Sequence, residues 1–323
     1  MLLYGSRANR KAGRIKMKDK QMRGVFAIPP AVYHEDFTVD YEGVARCVEF
    51  CLACGVHGLV IPVYATEYVL LSTEERKKIL EACLRAAGGK VPVIAGVSAA
   101  YVGEAMELTA HACSVGAEAV IAAPPHALKV SRGELMDYYE RINTVSDIPI
   151  FIQNLFPPLG DPMDLSFLIR LLTELEHVSY VKEETSQSRR LISALHQYET
   201  NHPSGPLKGI MGGGGSRALI EEYDRGICGT MPSCQFADLS VKIWNLLEEG
   251  DIKQAYQTFS QCLPAFLFSG AYGVGCYKKI LKRRGIVKFD GCRPGGWPVM
   301  DEAAERELER VFELVKPLLE PLS

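Results

Sequence analysis

The stretch Val178-Ser179-Tyr180-Val181-Lys182-Glu183-Glu184-Thr185 decides how the chain is read. A β-branched and aromatic run stops abruptly at a lysine and two carboxylates. Apolar residues on both faces belong to a strand in a parallel sheet covered by helices, where reactive groups collect at the C-terminal strand ends. Side chains alternate along a strand, so Glu184 shares a side with Lys182 and Glu183 points the other way.

Working outward, short apolar runs of the same kind recur about every thirty residues, alternating with amphipathic stretches. The expected strands are Val25–Pro29, Gly58–Pro62, Val91–Ala95, Ala119–Ala123, Ile148–Gln153, Ser179–Lys182, Leu207–Met211 and Ile227–Met231. Eight parallel strands with helical crossovers close most naturally into an α/β (β/α)8 TIM barrel, a doubly wound open sheet being the alternative. Ser72 with Glu75 and Ser131 with Glu134 have the spacing of capping boxes, and Gly88 and Gly116 stand where helices stop. Beyond Met231 the strand pattern ceases. Asp238–Glu249, Ile252–Phe268, Tyr272–Arg284 and Glu302–Leu319 read as helices broken by glycine and proline, a C-terminal helical extension on the barrel. The expected division is a flexible basic tail over 1–22, the barrel over 23–235 and the helical region over 236–323.

With 323 residues, 47% of them hydrophobic and 23% charged, the chain can bury a sizeable core. A net charge of −3 offers no general attraction for nucleic acid or an anionic membrane. No apolar run approaches the roughly 20 residues that span a bilayer, and no signal peptide is evident, so a cytoplasmic location is expected. Ten scattered cysteines read as reduced thiols. Cys47, Cys51 and Cys54 have a spacing used for iron–sulfur clusters, but Val44, Cys47, Val48, Cys51 and Leu52 recur at helical spacing, which favours a packed helix face. His126 stands at a strand end with no second ligand at metal spacing, so neither metal nor cofactor is expected.

The strand ends should face one mouth. Burial strips hydration from an ammonium group and can leave an amine able to attack a carbonyl, making an imine that stabilises a carbanion on the next carbon. Lys182 is the candidate nucleophile, the plainer reading being a lysine that reaches out of the barrel to pair with Glu183 or Glu184. Glu184 can shuttle a proton. Gln153 and Asn154 offer neutral donors and acceptors for a substrate, or cap the rim. Gly212 to Ser216 expose backbone amides either to an anionic group or as a plain turn, without a nucleotide-binding motif.

Several stretches, in order, resemble the dihydrodipicolinate synthase/N-acetylneuraminate lyase family of Schiff-base-forming barrels. Arg23–Val32 is similar to its first strand, Gly55–Arg76 to its second strand and loop, and Val91–Ser98 to its third strand. Pro149–Asn154, Tyr180–Thr185 and Gly226–Ser233 fall in register with strands five, six and eight. The resemblance implies that Lys182 forms the imine. The departures are informative. Val63-Tyr64-Ala65-Thr66-Glu67 stands where the family carries G-T-T-G-E, Gln153 replaces a tyrosine, Pro158 an arginine, and His126-Ala127 a tyrosine pair.

A true dihydrodipicolinate synthase needs those groups. The pattern is closer to a branch acting on 2-keto-3-deoxy sugar acids, nearest to 2-keto-3-deoxy-L-arabonate dehydratases. By that resemblance Gln153 orients substrate or water, Glu184 is the acid/base, and Gly213, Gly214 and Met231 line the site around the lysine; Tyr64, Ala65 and Asn154 are further substrate-binding candidates by their strand-end positions, Tyr64 being specific to this chain without a role carried over. The expected activity is dehydration of a 2-keto acid by a homotetramer. Aldol cleavage of the same substrates to pyruvate and an aldehyde is the alternative, and a non-catalytic sugar-acid-binding protein is one of another class.

Overall fold

The structure is a computed structural model that describes residues 22–125, 129–155, 162–295 and 297–320. The basic tail up to residue 21 lies outside them, as do His126, Ala127 and Pro158. Eight parallel strands pair in chain order into a closed barrel. They are β1 (Gly24–Ala27), β2 (Gly58–Ile61), β3 (Val93–Gly96), β4 (Ala119–Ala122), β5 (Ile150–Asn154), β6 (Val178–Glu183), β7 (Gly209–Gly212) and β8 (Gly229–Thr230). Between them run α1 (Tyr41–Ala53), α2 (Thr73–Ala87), α3 (Val102–Val115), α4 (Arg132–Val145), α5 (Leu165–Glu174), α6 (Ser188–Asn201) and α7 (Leu219–Asp224).

Strand alternation sorts the core into two clusters. Phe26, Val60, Ile94, Ile121, Phe151, Tyr180 and Met211 fill the barrel interior, with Phe151 stacked on Tyr180 at 4.3 Å. Gly58 makes room here, since a methyl group would overlap the Phe26 ring. Val25, Leu59, Val120, Ile152, Val181 and Ile210 face outward against the helices. Both capping boxes form, through Ser72 with Glu75 and Ser131 with Glu134. Gly88 and Gly116 end α2 and α3 in the left-handed region that glycine adopts freely. The strands β3 and β5 begin later than expected because Pro92 and Pro149 stand just before them, each without an N–H for the ladder.

Four helices follow, α8 (Ala237–Glu248), α9 (Ile252–Tyr272), α10 (Val274–Arg283) and α11 (Glu302–Val315). The expected break after Phe268 does not occur. Helix α9 runs for 21 residues across Pro264 and Gly270, because Ala255, Cys262, Ala265, Phe266 and Ser269 bury one continuous face, and turns only at Gly273. Helix α11 ends at Val315 rather than Leu319, since Pro317 forces a short 3-10 turn.

Cys47, Cys51 and Cys54 lie buried on α1, and burial raises the Cys51 and Cys54 thiols. At Cys47 a hydrogen bond to Cys234 comes first and burial second. These are packed thiols on a helix face. Among the described residues no helix is long and apolar enough to cross a membrane.

Candidate active site

Strand β6 delivers the lysine. Tyr180 and Lys182 face the lumen, while Val181 and Glu183 face the helices. Past the strand end Glu184 returns to the lumen side, and its Oε1 lies 3.0 Å from Lys182 Nζ. Gln153, in register with Lys182 on β5, donates to the same Oε1 at 2.5 Å. Lys182 is only 4% exposed, so this ion pair sits where charge–charge attraction is screened little. Lys182 and Gln153 thus converge on one carboxylate oxygen. Gly213 admits that carboxylate, because a methyl there would overlap Glu184.

Asn154 is a correction. It is fully buried on the helix side, donating to Glu183 Oε2 at 2.7 Å and to the Met163 carbonyl at 3.0 Å, and accepting from the Met163 amide at 2.8 Å. It secures the chain beyond β5 and does not line the cavity. Glu183 also accepts from the Thr185 amide and hydroxyl, and burial pushes its carboxyl upward.

Lys182 and Glu184 form part of the wall of a cavity of about 340 Å³. Tyr64, Ala65, Gly214 and Met231 line it, whereas Gly213 contributes space behind Glu184. The C-terminal helices supply a wall that local sequence reading does not reveal, with Phe266, Gly273, Tyr277 and Trp297. Trp297 packs edge-on to Tyr64 at 5.1 Å and donates its indole N–H to Glu67 Oε1 at 3.1 Å. Glu67 also pairs with Lys278 of α10, both of them buried, and Lys278 donates to the Gly291 carbonyl at 3.1 Å. Burial raises the hydroxyls of Tyr64 and Tyr277, and the latter hydrogen-bonds Ser233.

Arg217 is the second cation on the lining. Its Nε donates to the Gly214 carbonyl at 2.6 Å, and its guanidinium packs over Gly270, where a Cβ would stand 3.3 Å away. Among the described residues it has no carboxylate partner. No group of three or more histidine, cysteine or acidic side chains among the described residues could hold a metal ion.

A model of the dihydrodipicolinate synthetase family matches residues 21–314. The chain belongs to that family. Membership makes it a lyase of the Schiff-base type on a TIM barrel, and its relatives divide over the reaction. It is 25% identical over 301 residues to L-2-keto-3-deoxyarabonate dehydratase of Azospirillum brasilense, covering 92% of this chain and 96% of the relative. It is 26% identical over 309 residues to a probable 2-dehydro-3-deoxy-D-pentonate aldolase of Escherichia coli, covering 92% and 97%. The crystal structure of dihydrodipicolinate synthase from Rhodopseudomonas palustris superposes with a TM-score of 0.84 at 24% identity, covering 91% of this chain and 98% of that one.

Proposed function

We propose that this lyase dehydrates a 2-keto-3-deoxy sugar acid through an imine at Lys182. The observation that carries the reading is the convergence of Lys182 and Gln153 on Glu184 at the wall of a largely apolar cavity. Glu184 takes a proton from the lysine, and Nζ attacks the C2 carbonyl. Glu184 returns its proton to the departing C2 oxygen, and loss of water leaves a protonated imine beside a free carboxylate. That cation withdraws electrons from C3, and Glu184 removes the C3 proton to give an enamine. The enamine expels the C4 hydroxyl, which leaves as water with the proton that Glu184 collected. Tautomerisation and hydrolysis of the imine then release a 2-oxo acid with a terminal aldehyde and regenerate the lysine. Gln153 holds the Glu184 carboxylate in place, and Arg217 is placed to meet an anionic group of the substrate.

The dehydratase of A. brasilense, similar over nearly the whole chain, supports this reaction. Aldol cleavage is the second reading, supported by the E. coli relative. There Glu184 accepts the proton of the C4 hydroxyl while the C3–C4 bond breaks, leaving pyruvate as its enamine. A cytoplasmic homotetramer remains the expected assembly, checked by sedimentation.

Borohydride reduction with a 2-keto-3-deoxy pentonate should add the substrate's reduced mass at Lys182. Turnover by a Lys182→Ala variant would refute the imine. Release of a semialdehyde without pyruvate selects dehydration over cleavage.

A further inference from the structure

Behind the cavity, on the helix side of β7, lies a carboxyl that this chemistry does not use. Glu222 of α7 is only 4% exposed, and its Oε2 has no hydrogen-bond partner. It reaches the strand because Gly212 has no side chain, and a methyl there would overlap Oε2. Thr230 pairs in register with Gly212, and its hydroxyl is likewise buried without a partner. One residue further, Gly213 yields the same kind of space to Glu184 on the lumen side. Successive strand residues face opposite ways. Two consecutive glycines therefore admit two carboxyls, one on each face of β7.

A buried carboxyl without partners resists ionisation. Burial first, then the negative charge of Glu184, push Glu222 up to about 7, with Arg189 of α6 acting in the opposite direction and Glu221 and Glu183 adding to the rise. The group changes charge near neutrality, across β7 from the ion pair that holds the lysine.

We propose that Glu222 is a positioning residue that acts across β7 on Glu184 and so sets how firmly Lys182 keeps its proton. Protonated, it leaves the Lys182–Glu184 pair undisturbed. Ionised, it places a second negative charge behind Glu184, strengthens that carboxylate as the base that takes the lysine's proton, and so speeds attack on a keto group. The inference rests on the imine reading of Lys182.

The test measures the rate of borohydride-trapped adduct formation at Lys182 with pyruvate, the simplest 2-keto acid, from pH 5.5 to 8.5 in the wild type and in Glu222→Gln. Glutamine mimics the protonated carboxyl, so the two rates should agree at the acid end. Toward the alkaline end the variant should fall behind by about threefold or more, since only the wild type gains the extra charge behind its base. A rate ratio that does not change with pH overturns the proposal while leaving the imine intact. A wild type that traps no pyruvate at any pH refutes the imine, and this proposal with it. If Glu222→Gln does not fold, the wild type alone decides. A profile with an additional rise near neutral pH supports the coupling, and the titration curve of a single amine overturns it.

Discussion

Replacing Lys278 with methionine removes one half of an ion pair whose members are 1% and 0% exposed, Lys278 and Glu67. The variant keeps the length of the side chain but leaves the Glu67 carboxylate with only the Trp297 indole N–H and the Cys292 thiol as side-chain hydrogen-bond partners among the described residues, neither of them a cation. Breaking a buried pair from one side costs about 3–5 kcal/mol, most of it the penalty of an uncompensated buried charge. Adding Glu67→Gln to Lys278→Met removes that charge and should recover a large part of the loss, so the two substitutions should be strongly non-additive. Urea unfolding followed by tryptophan fluorescence measures both, since Trp297 lies in the affected wall. Because Trp297 packs against Tyr64 on the cavity lining, the single variant should also bind substrate more weakly. A loss below about 1 kcal/mol, or a double variant no more stable than the single one, would show that the pair does not clasp the C-terminal wall to the barrel.

Arg217→Ala should raise KM for a keto acid about tenfold with a smaller change in kcat, as expected for loss of a charged hydrogen bond made throughout the reaction; an unchanged KM refutes the anchoring role. Gly213→Ala pushes a methyl into the Glu184 carboxylate and should lower kcat far more than it lowers stability, measured by steady-state kinetics beside thermal melting. For Glu222 the folded carboxyl is raised from its ordinary 4.5 to about 7, so its contribution is fully present below about pH 4.5 and is lost as pH rises through 7. Glu222→Gln should therefore gain about 3 kcal/mol relative to the wild type between pH 4.5 and 8, and a difference that stays flat across that range contradicts the buried titration.

Much of the fold was legible because the physics behind it is local. Strand runs, capping serines and terminal glycines act within a few residues. Alternation along β6 separated Glu184 from Glu183. The same rule, applied to Gln153 and Asn154, turns Asn154 away from the lumen. Glu222 reads as an ordinary polar residue of a short helix, and only the gap at Gly212 shows where its carboxyl goes. Phe266, Tyr277 and Trp297 reach the site through tertiary packing, which leaves no periodic trace beyond the glycines around residue 273. Helix α9 crossing Pro264 and Gly270 is a case of burial along one face overriding local breakers.

The two sides of the cavity also differ in when they are made. All eight strands, and with them Lys182, Glu184 and Gln153, leave the ribosome before Tyr277 and Trp297. Until that last stretch has been made, the lysine has no Tyr277 or Trp297 wall beside it. A chain cut short ahead of α10 would carry the nucleophile and its carboxylate without the Trp297 wall or the Lys278 clasp. The sheltered place for the reactive group is thus complete only when the last stretch of the chain is.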